Sequence, residues 1–170
     1  MDKHTLPNIS IIGSGRVAKS LGAFFLSKGV TIKGIYSRNK ETGKACATLF
    51  NCDYFDRSSE LTGDIILVAV SDDQTINIIN EIGSEQAVIY TAGSVGLSEI
   101  NHPYTGVSYP LQTFSGLESD IQFDFPVLIE SKTVTLTNLI IDLCKYCGLN
   151  FDICDSQKRS DYHLVAVFLN

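Results

Sequence analysis

The sequence predicts a doubly wound α/β domain, a mostly parallel sheet with helices on both faces. Three observations predict it. Short apolar runs alternate with amphipathic stretches of helical period along most of the chain. One run, "DIILVAV" (residues 64–70), is continuously apolar, as expected of a strand buried on both faces of a parallel sheet. A glycine pair, Gly13 and Gly15, stands between the first apolar run and the first amphipathic one.

The elements follow in order. Ile9, Ile11 and Ile12 form a strand that reaches Gly13, and Val17, Leu21, Phe24 and Phe25 give the next helix one apolar stripe ending near Gly29. "VTIKGIYS" (30–37) is a second strand, and "NKETGKACATLF" (39–50) a weaker helix interrupted by Gly43. A third strand lies near Cys52 to Phe55, and the central strand 64–70 follows. "DQTINIINEIG" (73–83) is a helix with Ile76, Ile79 and Ile82 inward, and "AVIYTAG" (87–93) is a strand. "GVSYP" and "FPVLIE" read as short strands around the loop "LQTFSGLESDIQ". A helix from about Ser131 to Cys147, stopped by Gly148, and a strand near Asn150 to Ile153 close the sheet. A new helix begins near Ser156, with Tyr162, Val165, Ala166 and Leu169 along one face and Leu164, Val167 and Phe168 widening it. Ending at Asn170 without a closing glycine or polar tail, it reads as cut inside an element. The expected organisation is a domain over residues 1–155 and the beginning of a helical domain over 156–170.

Composition narrows the function. A chain of 170 residues, 44% hydrophobic, supports one main domain with a proper core. A net charge of −6 and no run of Lys and Arg make nucleic acid and anionic membrane poor partners. No secretory leader pattern and no apolar run of roughly 18 residues is visible, so a cytoplasmic protein is expected. The five cysteines are read as reduced thiols. Cys144 and Cys147 form a C-x-x-C, but they share a helical apolar stripe with Leu136, Leu139, Ile140 and Leu143, so buried structural thiols are expected and no metal site.

The glycine turn points to a ligand. Gly13, Gly15 and Ala18 fit the G-x-G-x-x-[GA] fingerprint: a tight turn, a close backbone approach to a pyrophosphate, and close helix–strand packing. Strand, turn and helix stand in the order that lets helix N-terminal amides receive phosphate. Ser14, Arg16 and Val17 complete the turn. An NAD site of this type wants an acid at the end of the second strand. Here Tyr36 ends it, and Ser37 and Arg38 follow, which suits a 2′-phosphate and favours NADP over NAD. A solvated surface arginine is the plainer reading of Arg38.

Ser71 or Asp72 is placed to cap the helix after the central strand, and the loop from Val70 and Ser71 borders the cofactor. Two further loops, "TAGSVG" and "YPLQTF", leave strand ends with unusual polar content, notably Ser94, Gln112 and Thr113. Ordinary turn chemistry explains their glycines and proline.

Read in order, "GSGRVA", "YSRN", "LVAVSDD", "TAGSVGL", "YPLQTFS" and "HLVAVF" resemble a Rossmann-like domain-of-unknown-function family labelled as NADP oxidoreductases. The resemblance covers nearly the whole chain. The family is similar in plan to pyrroline-5-carboxylate reductase, ketopantoate reductase and 6-phosphogluconate dehydrogenase. It implies a Rossmann-type NADP domain followed by a helical domain that forms a homodimer, with the active site between the two. His163, at the junction, becomes a candidate proton carrier, although a lone His on an apolar helix is often structural. The resulting expectation is hydride transfer between NADPH and a small carbonyl or imine substrate. Gly13, Ser14, Gly15, Arg16, Val17, Ser37, Arg38, Val70 and Ser71 would hold the cofactor, and Ser94, Gln112, Thr113 and His163 would face nicotinamide or substrate. A non-catalytic NADP-binding sensor or scaffold is the alternative, since no acid–base dyad stands out.

Overall fold

Alternation along strand β1 (Ile9–Ile12) sends Ile9 and Ile11 to one side of a sheet and Ile12 to the other, and all three are buried. Strand β4 (Ile65–Val68) repeats the division: Ile65 and Leu67 join the first core, Ile66 and Val68 the second. A strand apolar on both faces requires cover on both, and this defines the layers of the computed structural model, which describes residues 6–114 and 125–169.

Among the described residues, eight strands form one sheet in the order β3-β2-β1-β4-β5-β6-β7-β8. Besides β1 and β4 these are β2 (Ile32–Tyr36), β3 (Asp53–Phe55), β5 (Val88–Tyr90), β6 (Thr105–Pro110), β7 (Val127–Ser131) and β8 (Phe151–Ile153). Pairing is parallel everywhere except between β6 and β7, which run antiparallel from Gly106↔Ser131 to Pro110↔Val127. The doubly wound α/β architecture is therefore the one expected.

Helices α1 (Arg16–Ser27), α2 (Lys40–Phe50) and α4 (Val134–Cys147) cover the first face with Leu21, Phe24, Phe25, Phe50, Leu136, Ile140 and Leu143. Each such side chain, fully buried, contributes about 1.5–3 kcal/mol before ordering costs. Helix α3 (Asp72–Asn80) covers the other face through Ile79, joined by Ile82 just beyond its end. The chain order reverses at β1, where β2 lies on one side and β4 on the other, and such a point opens a crevice at the C-terminal strand ends.

Two expected features are corrected. The helix expected from Ser131 begins at Val134, because Ser131 still pairs with Gly106 in the sheet and Thr133 is the cap, its Oγ1 accepting from the Leu136 N–H at 3.2 Å. Gly43 does not interrupt α2: a Cβ there would lie 2.6 Å from the Tyr54 ring, so the glycine lets helix and strand approach within a continuous helix. Of the loop expected between β6 and β7, residues 115–124 lie outside the described residues.

Cys144 and Cys147 are buried in α4 as expected, and burial pushes their thiols up to about 12 and about 11. Among the described residues no group of three or more His, Cys, Asp and Glu side chains is arranged to hold a metal ion. None of the described helices is long and apolar enough to cross a membrane.

Candidate cofactor site

A cleft of about 700 Å³ opens where β1, β2 and β4 end. Its floor is the turn between β1 and α1. Gly13 sits at φ +126°, and a Cβ there would collide with the Ala69 carbonyl, so only glycine fits the contact between turn and β4. The Gly13 N–H donates to the Tyr36 carbonyl at 2.8 Å, tying the turn to β2. Ala18, fully buried, keeps the helix close behind.

Gly15 has a different reason. It is the N-cap of α1 in ordinary extended backbone, and a Cβ built on it meets nothing within 4 Å among the described residues. Packing within the protein does not require the glycine, and a side chain would project into open space beside the turn. No side chain caps α1, and its first turn holds no acid, so its amide dipoles face the cleft without a competing carboxylate in that turn. Arg16 and Val17 also line the cleft. An open helix N-terminus with a bare backbone beside it fits the pyrophosphate of a dinucleotide.

The second wall comes from the end of β2. Ser14 Oγ lies 2.7 Å from both Ser37 Oγ and Thr42 Oγ1, a three-hydroxyl network that pins the glycine turn to the start of α2. Asn39 caps α2, its side chain accepting from the Thr42 N–H at 3.1 Å. Arg38 is exposed on the cleft rim, forms no ion pair among the described residues, and donates from Nη1 to Gln74 Oε1 at 3.2 Å.

The third wall is the turn from β4 into α3. Val70, Ser71, Asp72, Gln74, Asn77 and Ile78 line it. The capping expectation is corrected in part: Ser71 occupies the N-cap, but its side chain makes no capping hydrogen bond, and Asp72 lies inside the first turn. Asp72 instead accepts from Ser94 Oγ, linking the cleft to the loop after β5.

Beyond Ser94 lies a second cluster. Tyr109, on β6, is hydrogen-bonded to His163 Nδ1, and a Cβ on Gly93 would sit 2.6 Å from that nitrogen. Gly93 is therefore more than a turn residue, since the His163 ring occupies the space its side chain would take. Burial, with the Asp72 charge secondary, holds the Tyr109 phenol above its ordinary value. His163 belongs to helix α5 (Ser156–Leu169), whose first turn is fixed by Arg159. That arginine is fully buried, pairs with Glu130 of β7, and donates from Nη2 to the Val95 carbonyl at 2.7 Å. Ser156 Oγ donates to Glu130 Oε2 at 2.7 Å and accepts from the Leu97 N–H at 3.0 Å.

The structure thus brings most of the expected residues together. Gly13, Ser14, Gly15, Arg16, Val17, Ser37, Arg38, Val70 and Ser71 line one cleft, while Ser94 bonds to Asp72 of that cleft and the His163 ring lies against the neighbouring Gly93. Gln112 and Thr113 are not on the cleft wall: Thr113 is exposed, and the Gln112 Oε1 is buried with no hydrogen-bond partner among the described residues. Tyr109, Arg159 and Glu130 were missed. The available signal was the spacing of Ser156, Arg159 and His163 at i, i+3 and i+7, which puts them on one face of the helix. The expected apolar face is largely the outer one, with Tyr162, Leu164, Val165 and Phe168 exposed; the side chains of Val167 and Leu169 lie outside the described residues.

A family model described as NADP oxidoreductase, coenzyme F420-dependent, matches residues 8–92, the half of the chain that builds the cleft. The chain belongs to this family. Solved structures extend the likeness in fold. A Bacteroides fragilis protein provisionally called an NADP oxidoreductase is 26% identical with a TM-score of 0.84, covering 96% of this chain and 66% of its own. A Thermotoga maritima protein is 17% identical with a TM-score of 0.74, covering 95% and 63%. Prephenate dehydrogenase from Aquifex aeolicus, solved with hydroxyphenyl propionate and NAD+, is 13% identical with a TM-score of 0.78, covering 93% and 63%. The chain spans about two thirds of the length of these structures. A search of curated proteins gives no significant match. The family model thus shows the family, and these structures show the fold.

Proposed function

We propose that this chain is the cofactor-binding part of an NADPH-dependent oxidoreductase that moves hydride between NADPH and a small carbonyl or imine compound. The observation that carries the reading is the cleft itself: an uncapped α1 N-terminus beside a bare Gly15, with Arg38 rather than an acid at the end of β2. NADPH, when bound, supplies the hydride, and the protein supplies position and a proton. The turn from Gly13 to Val17 holds the pyrophosphate with backbone amides, and Ser37 and Arg38 hold the 2′-phosphate.

The proton belongs to His163. Tyr109, kept protonated by its burial, fixes the imidazole through Nδ1, which leaves Nε2 to exchange a proton with the substrate oxygen or nitrogen. Ser94, held by Asp72 beside the cleft, orients the substrate or the nicotinamide carboxamide. The outer face of α5 packs against further helix in a homodimer, because Leu164, Val165 and Phe168 are too apolar to remain in water at that density.

Calorimetry with NADPH and NADH tests the cofactor, and a turnover screen of small keto acids and cyclic imines with the full-length protein, followed by NADPH absorbance, tests the reaction. Tighter binding of NADPH and turnover that falls strongly in His163→Gln are expected. Equal affinity for the two cofactors, or undiminished turnover in that variant, would refute the corresponding assignment.

A further inference from the structure

The end of β2 and the first turn of α3 stand on opposite walls of the cleft, with β1 between their strands. A side-chain bond joins the walls, from Arg38 Nη1 to Gln74 Oε1 at 3.2 Å. The Gln74 amide is itself oriented: Nε2 donates to Asp73 Oδ2 at 2.8 Å, which turns Oε1 toward Arg38. We infer that Gln74, with Asp73 behind it, is a positioning residue that sets cofactor preference by aiming the Arg38 guanidinium at a 2′-phosphate without neutralising it. The inference rests on reading this cleft as an NADP site.

The chemistry of the acceptor decides the point. A guanidinium has five N–H donors and holds phosphate best with a planar pair of them. A carboxylate at position 74 would pair with Arg38 and oppose an incoming phosphate. An amide oxygen accepts one N–H, leaves the others and the full positive charge for the ligand, and restrains a long exposed side chain. The nearest acid in the chain of contacts, Asp73, is bound to the amide nitrogen and feels the Arg38 charge only weakly, so its hydrogen bond goes to Gln74 rather than to the guanidinium. Hydrogen bonds from the Ser71 hydroxyl and the Gln74 amide hold the Asp73 carboxyl below its ordinary value, so it remains an acceptor at neutral pH.

The test uses calorimetry of this chain with NADPH and NADH, and with 2′,5′-ADP and 5′-AMP as their adenosine ends. Gln74→Met removes the acceptor and adds no charge; NADPH affinity should fall by roughly three- to tenfold and NADH affinity should hold. Gln74→Glu should weaken NADPH by roughly tenfold or more, leave NADH unchanged or improved, and weaken 2′,5′-ADP in parallel. Position 74 lies in the first turn of α3, where an acid favours the helix, so circular dichroism melts should confirm that Gln74→Glu still folds. Arg38→Ala separates the two levels of the argument. If it abolishes the preference for NADPH while both Gln74 variants bind as wild type, the positioning role is wrong and the NADP site stands. If Arg38→Ala leaves the NADPH-to-NADH ratio unchanged, the NADP reading falls and the role of Gln74 falls with it.

Discussion

Tyr109 and His163, 54 residues apart in sequence, lie 2.9 Å apart from phenol oxygen to Nδ1, with ring centroids 5.5 Å apart in an edge-on contact. This pair joins the sheet to α5. Tyr109→Phe should keep the ring contact and lose the hydrogen bond, lowering stability by about 0.5–1.5 kcal/mol. Faster amide hydrogen exchange confined to α5 is the expected signature; uniform change across the sheet would contradict it.

The Arg159–Glu130 pair makes a stronger prediction. The arginine side chain is 0% exposed and the carboxylate side chain 21%, so removing the acid leaves a charge with nowhere to go. Glu130→Ala should destabilise by about 3–5 kcal/mol, whereas replacing both residues with Met should recover much of that loss. Urea denaturation of the single and double variants checks it, and additive losses would argue against the pair.

Gly13 and Gly15 should behave oppositely although they are two residues apart. Gly13→Val, forced to φ +126° and against the Ala69 carbonyl, should destabilise by at least ~3 kcal/mol. Gly15→Val meets open space in allowed backbone, so the domain should fold while NADPH binding disappears. Thermal melts alongside calorimetry distinguish the two outcomes.

Thiol reactivity should follow burial. Cys144 is pushed from 9.0 to about 12, and Cys147 and Cys52 to about 11, chiefly by desolvation of the thiolate. In the folded protein at pH 8 these three should react slowly with a disulfide reagent, and rapidly once denatured. A raised acid value means the folded state favours the protonated thiol. Its contribution is fully present below pH 9 and is lost as pH rises through 11–12, so alkaline melts should decline over that window.

The order of strands and helices was legible because period and burial agree: "DIILVAV" contains a strand apolar on both faces, and the Gly13 turn lies where fingerprint and helix meet. Contacts between distant segments were not legible. Arg159 reads as a solvated residue in "DSQKRSD", and its burial is made tolerable by Glu130, 29 residues earlier, and by the distant Val95 carbonyl. Tyr109 reads as an ordinary strand aromatic until α5 folds back onto it. Gln112 stood out in sequence for its polarity, yet polarity alone does not say which way a loop side chain turns, and its oxygen is buried away from the cleft wall.

The missing side chain at Gly93 makes two distant positions interdependent over evolutionary time. A methyl group at 93 would collide with the His163 ring and, at 2.9 Å, with the Tyr109 ring, so an alanine there is admissible only in a chain that has moved or given up both rings. Homologues should therefore trade position 93 with 109 and 163, a glycine accompanying the tyrosine and histidine and a larger residue accompanying smaller ones. An alignment deep enough to show alanine at 93 beside histidine at 163, in proteins that keep the same helix placement, would break that linkage. Transplanting α5 onto a related domain carries the same condition: the recipient must receive the glycine with it.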